Sequence, residues 1–261
     1  MNRRTLTELA ANPDLISGIY NYCDRWCEKC QFTSRCLLYA TEQEDADDSP
    51  GSRDIQNAAF WQKLGRIFQE TKEMMTEWAE EAGVDLTDVD DEAAETHLRR
   101  HDAAMRHRLA VAGERYASAV TDWFNDFAAT ATASDLPPDQ QEVEQFEQFE
   151  EASNVIHWYQ YQIAVKSMRA LSSRSDEVEE MADQLEGFPK DSDGSAKVAL
   201  VGIDRSISAW RLMQLAVPER SESIVPLIFQ LERLRKRAEK EFPNARSFIR
   251  PGFDEVLGEP N

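Results

Sequence analysis

The sequence predicts an all-α protein, in which a bundle of long antiparallel helices follows a small N-terminal helical module. Its composition supports this class, since 41% of the 261 residues are hydrophobic, 30% are charged, and only 10 are Gly and 10 are Pro. Apolar residues recur at helical spacing over segments long enough for helices of roughly 45 to 55 Å. No run of alternating apolar and polar residues indicates strands. Such long helices suit an antiparallel bundle better than a compact α/β sheet.

The N-terminal part is predicted to be a separate module. Asn12, Pro13 and Asp14 are suitable residues for a helix start, and the helix they begin is expected to run into a cysteine-rich segment. The acidic, turn-rich sequence EQEDADDSPGSRD then reads as a linker. These signals predict a metal-binding module with its linker over 1–50, a helical bundle over 51–245 and an irregular tail over 246–261.

The bundle helices are predicted from apolar stripes and from their end signals. The first of them carries Ala59, Phe60, Leu64, Ile67, Phe68, Met74, Met75 and Trp78 on its apolar side. Gly83 is placed to end that helix. The segments predicted to be helical are about 54–82, 92–128, 139–171, a short one near 175–186, 194–216 and 221–242.

All four cysteines lie within fourteen positions, with the spacing C-x3-C-x2-C-x5-C. On a continuous helix the first three would fall at roughly 0°, 40° and −20° around the axis, so their thiols would face one way. Cysteine is also a common small core residue, but this chain uses it at no other position. In a reducing compartment, clustered thiols more often bind metal than form disulfides. We therefore expect a metal site at Cys23, Cys27, Cys30 and Cys36.

The spacing leaves zinc and an iron–sulfur cluster open. A single zinc ion holds its sulfur ligands roughly 3.8 Å apart, whereas the α-carbons of Cys23 and Cys30 would be about 10 Å apart along an unbroken helix. Either the helix ends between Cys27 and Cys30, or the site holds a wider iron–sulfur cluster. Thr33 is expected to cap a second short helix with Cys36 in its first turn.

The charge balance limits the classes of partner. The net charge is −20, from 49 acidic and 29 basic residues, which disfavours general binding to nucleic acid or to an anionic membrane. A basic cluster, LERLRKRAEKEF with Arg246 and Arg250 beyond it, is expected to be helical cations paired with Glu232, Glu239 and Glu241. The chain has no apolar run of membrane-spanning length and no signal-peptide pattern at its start, so a cytoplasmic location is expected.

Two residues of the bundle are weak candidates for catalysis. His157 shares a helical face with Glu147, Glu151, Asn154 and Tyr161, and Asp204 interrupts an apolar run. The first set fits a partly solvated face or a polar pocket in which His157 acts as acid or base. Asp204 fits a charge pair that fixes helix register, or a ligand pocket between helices.

These patterns predict a non-enzymatic, metal-binding helical protein with an interaction or regulatory role, whose acidic helical surface meets a protein partner. The alternative is an iron–sulfur redox or sensor protein, or an enzyme with a polar pocket between bundle helices. The sequence fixes neither a substrate nor an oligomeric state.

Overall fold

The computed structural model describes residues 9, 11–44, 56–83, 85, 91–130, 140–180 and 190–254, and all regular structure in these residues is helical, as predicted. Short 3-10 helices occur at Ile19–Tyr22, Cys27–Lys29, Thr33–Arg35, Pro218–Arg220 and Ala245–Ser247. The α-helices of the described residues are α1 (Leu37–Glu44), α2 (Ala58–Ala82), α3 (Asp91–Arg106), α4 (Arg108–Thr130), α5 (Gln140–Glu180), α6 (Asp191–Ala216) and α7 (Ser221–Glu241).

The chain divides into two compact units. The first, called the N-terminal unit here, comprises Met1–Asn21 and Cys27–Thr96, and the second, the bundle unit, comprises Tyr22–Trp26 and His97–Asn261. The cysteine segment is thereby shared, since Cys23 belongs to the bundle unit and the other three cysteines belong to the N-terminal unit.

Helices α4 to α7 form a closed four-helix bundle. Helix α5 packs against α4 and α6, and α7 packs against the same two helices, so each helix has two neighbours. Helix α6 is central to the core, with Leu200, Ile203 and Trp210 almost completely buried. The indole Nε1 of Trp210 donates a 2.9 Å hydrogen bond to the hydroxyl of Tyr116, so the largest core side chain leaves no polar atom unsatisfied.

Close helix packing requires glycine where α4 meets α5. A β-carbon added to Gly113 would lie 2.9 Å from the α-carbon of Ala164, closer than two such atoms can approach. The small residues at this crossing bring the two helix backbones together, which explains why the core here is built from alanine and glycine.

Helix α2 of the N-terminal unit ends before Gly83 as predicted, and it begins at Ala58 rather than at about residue 54. The side chain of Asn57 accepts the Ala59 N–H at 2.9 Å, and Gly83 ends the helix with φ 68° in the left-handed region. Half of its predicted apolar stripe is exposed, with Phe68 66% and Trp78 58% exposed, and the other half is partly buried. This helix, predicted as the first of the bundle helices, belongs to the N-terminal unit.

The structure corrects the predicted helix boundaries in three places. The helix expected from Asn12 into the cysteine segment does not form, because residues 11–18 are turns and loops. The helix predicted over 92–128 is two helices, α3 and α4, which are separated at His107. No new helix begins near residue 175, because α5 continues through this position to Glu180. The predicted linker, 42–54, begins within α1, which ends at Glu44, and its residues 45–54 lie outside the described residues. Residues 131–139, between the helices predicted over 92–128 and 139–171, also lie outside them.

The break at His107 has a local cause. Its ring Nδ1 accepts the N–H of Leu109 at 3.3 Å, and its carbonyl accepts the N–H of Val111, so His107 caps the start of α4. Burial lowers the pKa of His107 below its ordinary value of 6.5, and Arg174 and Arg108 act in the same direction, while Glu241 opposes the shift. The neutral ring, which can accept the bond, is thereby favoured.

Stability should fall as the pH drops below about 6.5, because the unfolded chain then binds a proton that the folded histidine resists. His107→Asn keeps a capping side chain that does not titrate, so we expect it to lose less thermal stability than the wild type between about pH 7.5 and 5.5. His101→Asn on α3 controls for the loss of one histidine. Identical pH profiles for His107→Asn and wild type would contradict the capping role.

Candidate functional site

The cysteine segment is a chain of turns and short 3-10 helices. The side-chain Oδ1 of Asn12 accepts a hydrogen bond from the N–H of Asp14 at 3.0 Å, and Gly18 has φ 71°. These two local features interrupt a helix before the first cysteine. Arg25 has φ 59°, which is uncommon for a residue with a β-carbon and turns the chain again after Cys23. The predicted arrangement, in which three thiols share one face of a continuous helix, is therefore wrong.

Cys30 lies outside any helix, directly after the 3-10 turn Cys27–Lys29. Its N–H donates to the carbonyl of Cys27 at 3.1 Å, and its Sγ accepts the N–H of Phe32 at 3.4 Å. The Sγ atom of Cys30 is thus held by a backbone N–H of its own turn.

Cys36 precedes α1 directly, and its carbonyl accepts the N–H of Ala40 at 3.0 Å, the first bond of that helix. The expected cap at Thr33 is not formed, because Thr33 begins a 3-10 turn of its own. Cys36 therefore occupies the N-cap position of α1.

None of the four cysteines forms a disulfide, and all are partly exposed. In the ranges that the structure describes, no three His, Cys, Asp or Glu side chains come together in a group able to hold a metal ion. Burial raises the pKa of Cys23, and the cation of Lys166 on α5 acts in the opposite direction. Cys23 is thus a neutral thiol near pH 7, and a bound metal would have to displace its proton.

Asp24 fixes the position of residues 22–26 in the bundle unit. Its backbone carbonyl accepts hydrogen bonds from Trp158 Nε1 at 2.9 Å and from Gln162 Nε2 at 2.6 Å, both on α5. Its carboxylate accepts a 2.6 Å ion-paired hydrogen bond from Arg205 on α6 and a hydrogen bond from the hydroxyl of Tyr159. We call Asp24 and its four partners, Trp158, Tyr159, Gln162 and Arg205, the Asp24 anchor.

Aromatic packing supports the anchor on both sides. The indole of Trp26 stacks on that of Trp158, with ring centroids 5.0 Å apart and planes within 15°. The ring of Tyr22 meets Phe248 edge-on at 4.7 Å. A β-carbon at Gly194 would collide with the ring of Tyr22, so α6 needs glycine where this segment lies against it.

The electrostatics of the anchor favour one protonation state. Burial and the adjacent carboxylate of Asp24 both raise the pKa of Tyr159 above its ordinary value. Tyr159 therefore stays protonated, and its hydroxyl donates a hydrogen bond to the carboxylate of Asp24. The Arg205 guanidinium also lies over the Tyr159 ring, 5.7 Å from its centroid, and supplies the positive charge that a partly buried carboxylate requires.

The two weak catalytic candidates lie in different surroundings. His157 stacks against Phe124 with ring centroids 4.1 Å apart, and its Nδ1 is 3.4 Å from Oε1 of Gln160. Asp204 is ion-paired with Arg246 at 2.6 Å and with Arg235 at 3.4 Å. His157 packs as an aromatic side chain, and Asp204 joins α6 to α7 and to the residues after it, as a register-fixing charge pair would.

No protein-family model, no curated protein and no solved structure matches this chain. In the part of the chain that the structure describes, none of the helices has the length and apolarity needed to cross a membrane.

Proposed function

We propose that this chain is a non-enzymatic interaction protein that self-associates through α2 and binds a metal through its cysteine segment. The observation that carries the proposal is the exposed apolar face of a 25-residue helix, which includes Trp61, Ile67, Phe68, Met75 and Trp78. At helical spacing these residues lie on one side, within an arc of about 120°. Exposed apolar surface of this kind marks interaction sites.

The charges of α2 favour a second copy of the chain as the occupant of this face. Residues 58–69 carry Lys63 and Arg66 and no acidic residue, whereas residues 70–82 carry five glutamates and one lysine, a net charge of −4. When two such helices pack antiparallel, the basic half of each lies beside the acidic half of the other. A parallel pairing would instead place like charges together.

The cysteine segment supplies the metal-binding part of the proposal. All four thiols are partly exposed and outside disulfides, no residue from 20 to 36 is fully buried, and Cys30 already accepts a backbone N–H. Metal coordination itself supplies the free energy that brings ligands together in small metal-binding segments. Zinc and an iron–sulfur cluster both suit a four-thiolate donor set. The acidic helical surface is the part of the molecule that we propose contacts a protein partner.

We expect sedimentation equilibrium to show a concentration-dependent dimer. Phe68→Gln should weaken dimerisation by about tenfold or more, since it removes a large apolar side chain from the face without changing the charge. Phe68 is 66% exposed, so the monomer should stay folded. Gln62→Ala changes an exposed residue on the polar side of α2 and should leave the dimer intact.

The antiparallel orientation has its own test. Lys63→Glu with Arg66→Glu should weaken the dimer, because two acidic halves then meet, and adding Glu73→Lys, Glu77→Lys and Glu80→Lys should restore it. A chain that stays monomeric at every concentration would overturn the self-association proposal.

Metal binding is tested by elemental analysis of anaerobically purified protein. A colourless protein with one zinc per chain, or a brown protein whose visible absorption dithionite bleaches, would support the proposal and identify the metal. Cys27→Ala should lose metal, whereas Ser34→Ala in the same segment should retain it. Metal-free wild-type protein, or full metal content in Cys27→Ala, would contradict the four-cysteine site.

A further inference from the structure

Half of the residues that line a cleft on the bundle unit are arginines. It lies between α4 and α7, has a volume of about 310 Å³, and is lined by Ala112, Arg115, Gln230, Arg233, Leu234 and Arg237. Leu234 is buried and gives the cleft an apolar floor, while the three guanidinium groups and one amide supply hydrogen-bond donors. The volume falls at the lower end of the range for small-molecule sites.

The three arginines of the cleft have no carboxylate partner among the residues that the structure describes. None of their guanidinium groups forms an ion pair or a hydrogen bond with another residue that the structure describes. Elsewhere in the bundle unit, arginines typically pair with acidic side chains, as do Arg108, Arg169, Arg174, Arg205, Arg211, Arg220, Arg235, Arg246 and Arg250. On a chain with a net charge of −20, three uncompensated cations in one cleft are a local exception.

The acidic residues expected to neutralise the basic cluster of α7 have other partners. Glu232 lies 3.7 Å from Arg211 of α6, Glu241 lies 2.8 Å from Arg174 of α5, and Glu239 lies 2.8 Å from Arg246 beyond α7. The predicted pairing thus holds only for Glu239 with Arg246. Because these glutamates pair with other arginines, they do not pair with Arg233 or Arg237 of the cleft.

We propose that this cleft binds a small polyanion, a phosphate- or carboxylate-bearing molecule with at least two negative charges. Planar guanidinium groups donate paired hydrogen bonds to the oxygens of such groups. Arginines from two helices converge here, and a ligand with several charges relieves the repulsion among them, which a monovalent ion would do only in part. This site does not depend on α2 or on the cysteines.

Isothermal titration calorimetry of the full chain with pyrophosphate and with citrate tests the proposal. We expect at least one of the two to bind, with an affinity that falls as salt is added. Tighter binding of pyrophosphate assigns a phosphate ligand, and tighter binding of citrate assigns a polycarboxylate. Failure of both to bind at millimolar concentration would overturn the proposal.

Matched variants locate the binding in the cleft. Arg233→Gln on α7 and Arg115→Gln on α4 should each weaken binding by about tenfold or more, because each removes charge-assisted hydrogen bonds. Lys236→Gln removes the same charge from an exposed position of α7 outside the cleft and should keep nearly wild-type affinity. Equal weakening in all three variants would show binding by general charge alone and would overturn the site. Circular dichroism checks that each variant is folded.

Discussion

The hydrogen bonds that Asp24 accepts from α5 and α6 hold residues 22–26 in place, and the start of the cysteine segment depends on them. Both its carbonyl and its carboxylate are used, so the orientation of the chain is fixed as well as its position. Hydrogen bonds to charged groups contribute about 1.5–3 kcal/mol each, which offsets the cost of removing the carboxylate from water. The left-handed conformation of Arg25 is held between this anchor and the stacked indole of Trp26.

The two units handle apolar surface differently. In the bundle unit, α6 buries side chains along most of its length, and α4, α5 and α7 complete the core. Helix α2 carries an apolar stripe of which Ile67, Phe68, Met75 and Trp78 are exposed. The arginines of the bundle unit also differ among themselves. Most of them pair with nearby carboxylates, and those of the cleft have no such partner among the described residues. The exposed apolar face of α2 and the arginine cleft are the two surfaces for which we propose binding partners.

Periodicity and end signals predicted the helices well where the determinants are local. Gly83 ends α2 as expected, and α6 and α7 lie close to their predicted ranges. The sequence could not show that the stripe of α2 stays exposed, because an amphipathic pattern identifies the apolar face but not what covers it. The break at His107 was missed because histidine is not a usual capping residue.

The Asp24 anchor was also beyond sequence reasoning. Tyr159 and Arg205 lie 135 and 181 positions from Asp24 along the chain, so no local spacing relates them. Together with the local turns at Asn12 and Gly18, these long-range bonds account for the absence of the predicted helix through the cysteines. Residues 22–26 gain more from packing on α5 and α6 than from continuing a short helix, for which local propensity alone is a weak determinant.

A double-mutant cycle on the free energy of unfolding tests the anchor most directly. Asp24→Ala and Tyr159→Phe each remove one side of the same hydrogen bond. If the anchor holds residues 22–26 on the bundle, the double variant should lose less stability than the sum of the single variants, by about 1 kcal/mol or more. Asp126→Ala, which removes a carboxylate paired with Arg220 instead, should be additive with Tyr159→Phe. Additive losses for Asp24→Ala with Tyr159→Phe would contradict the anchor.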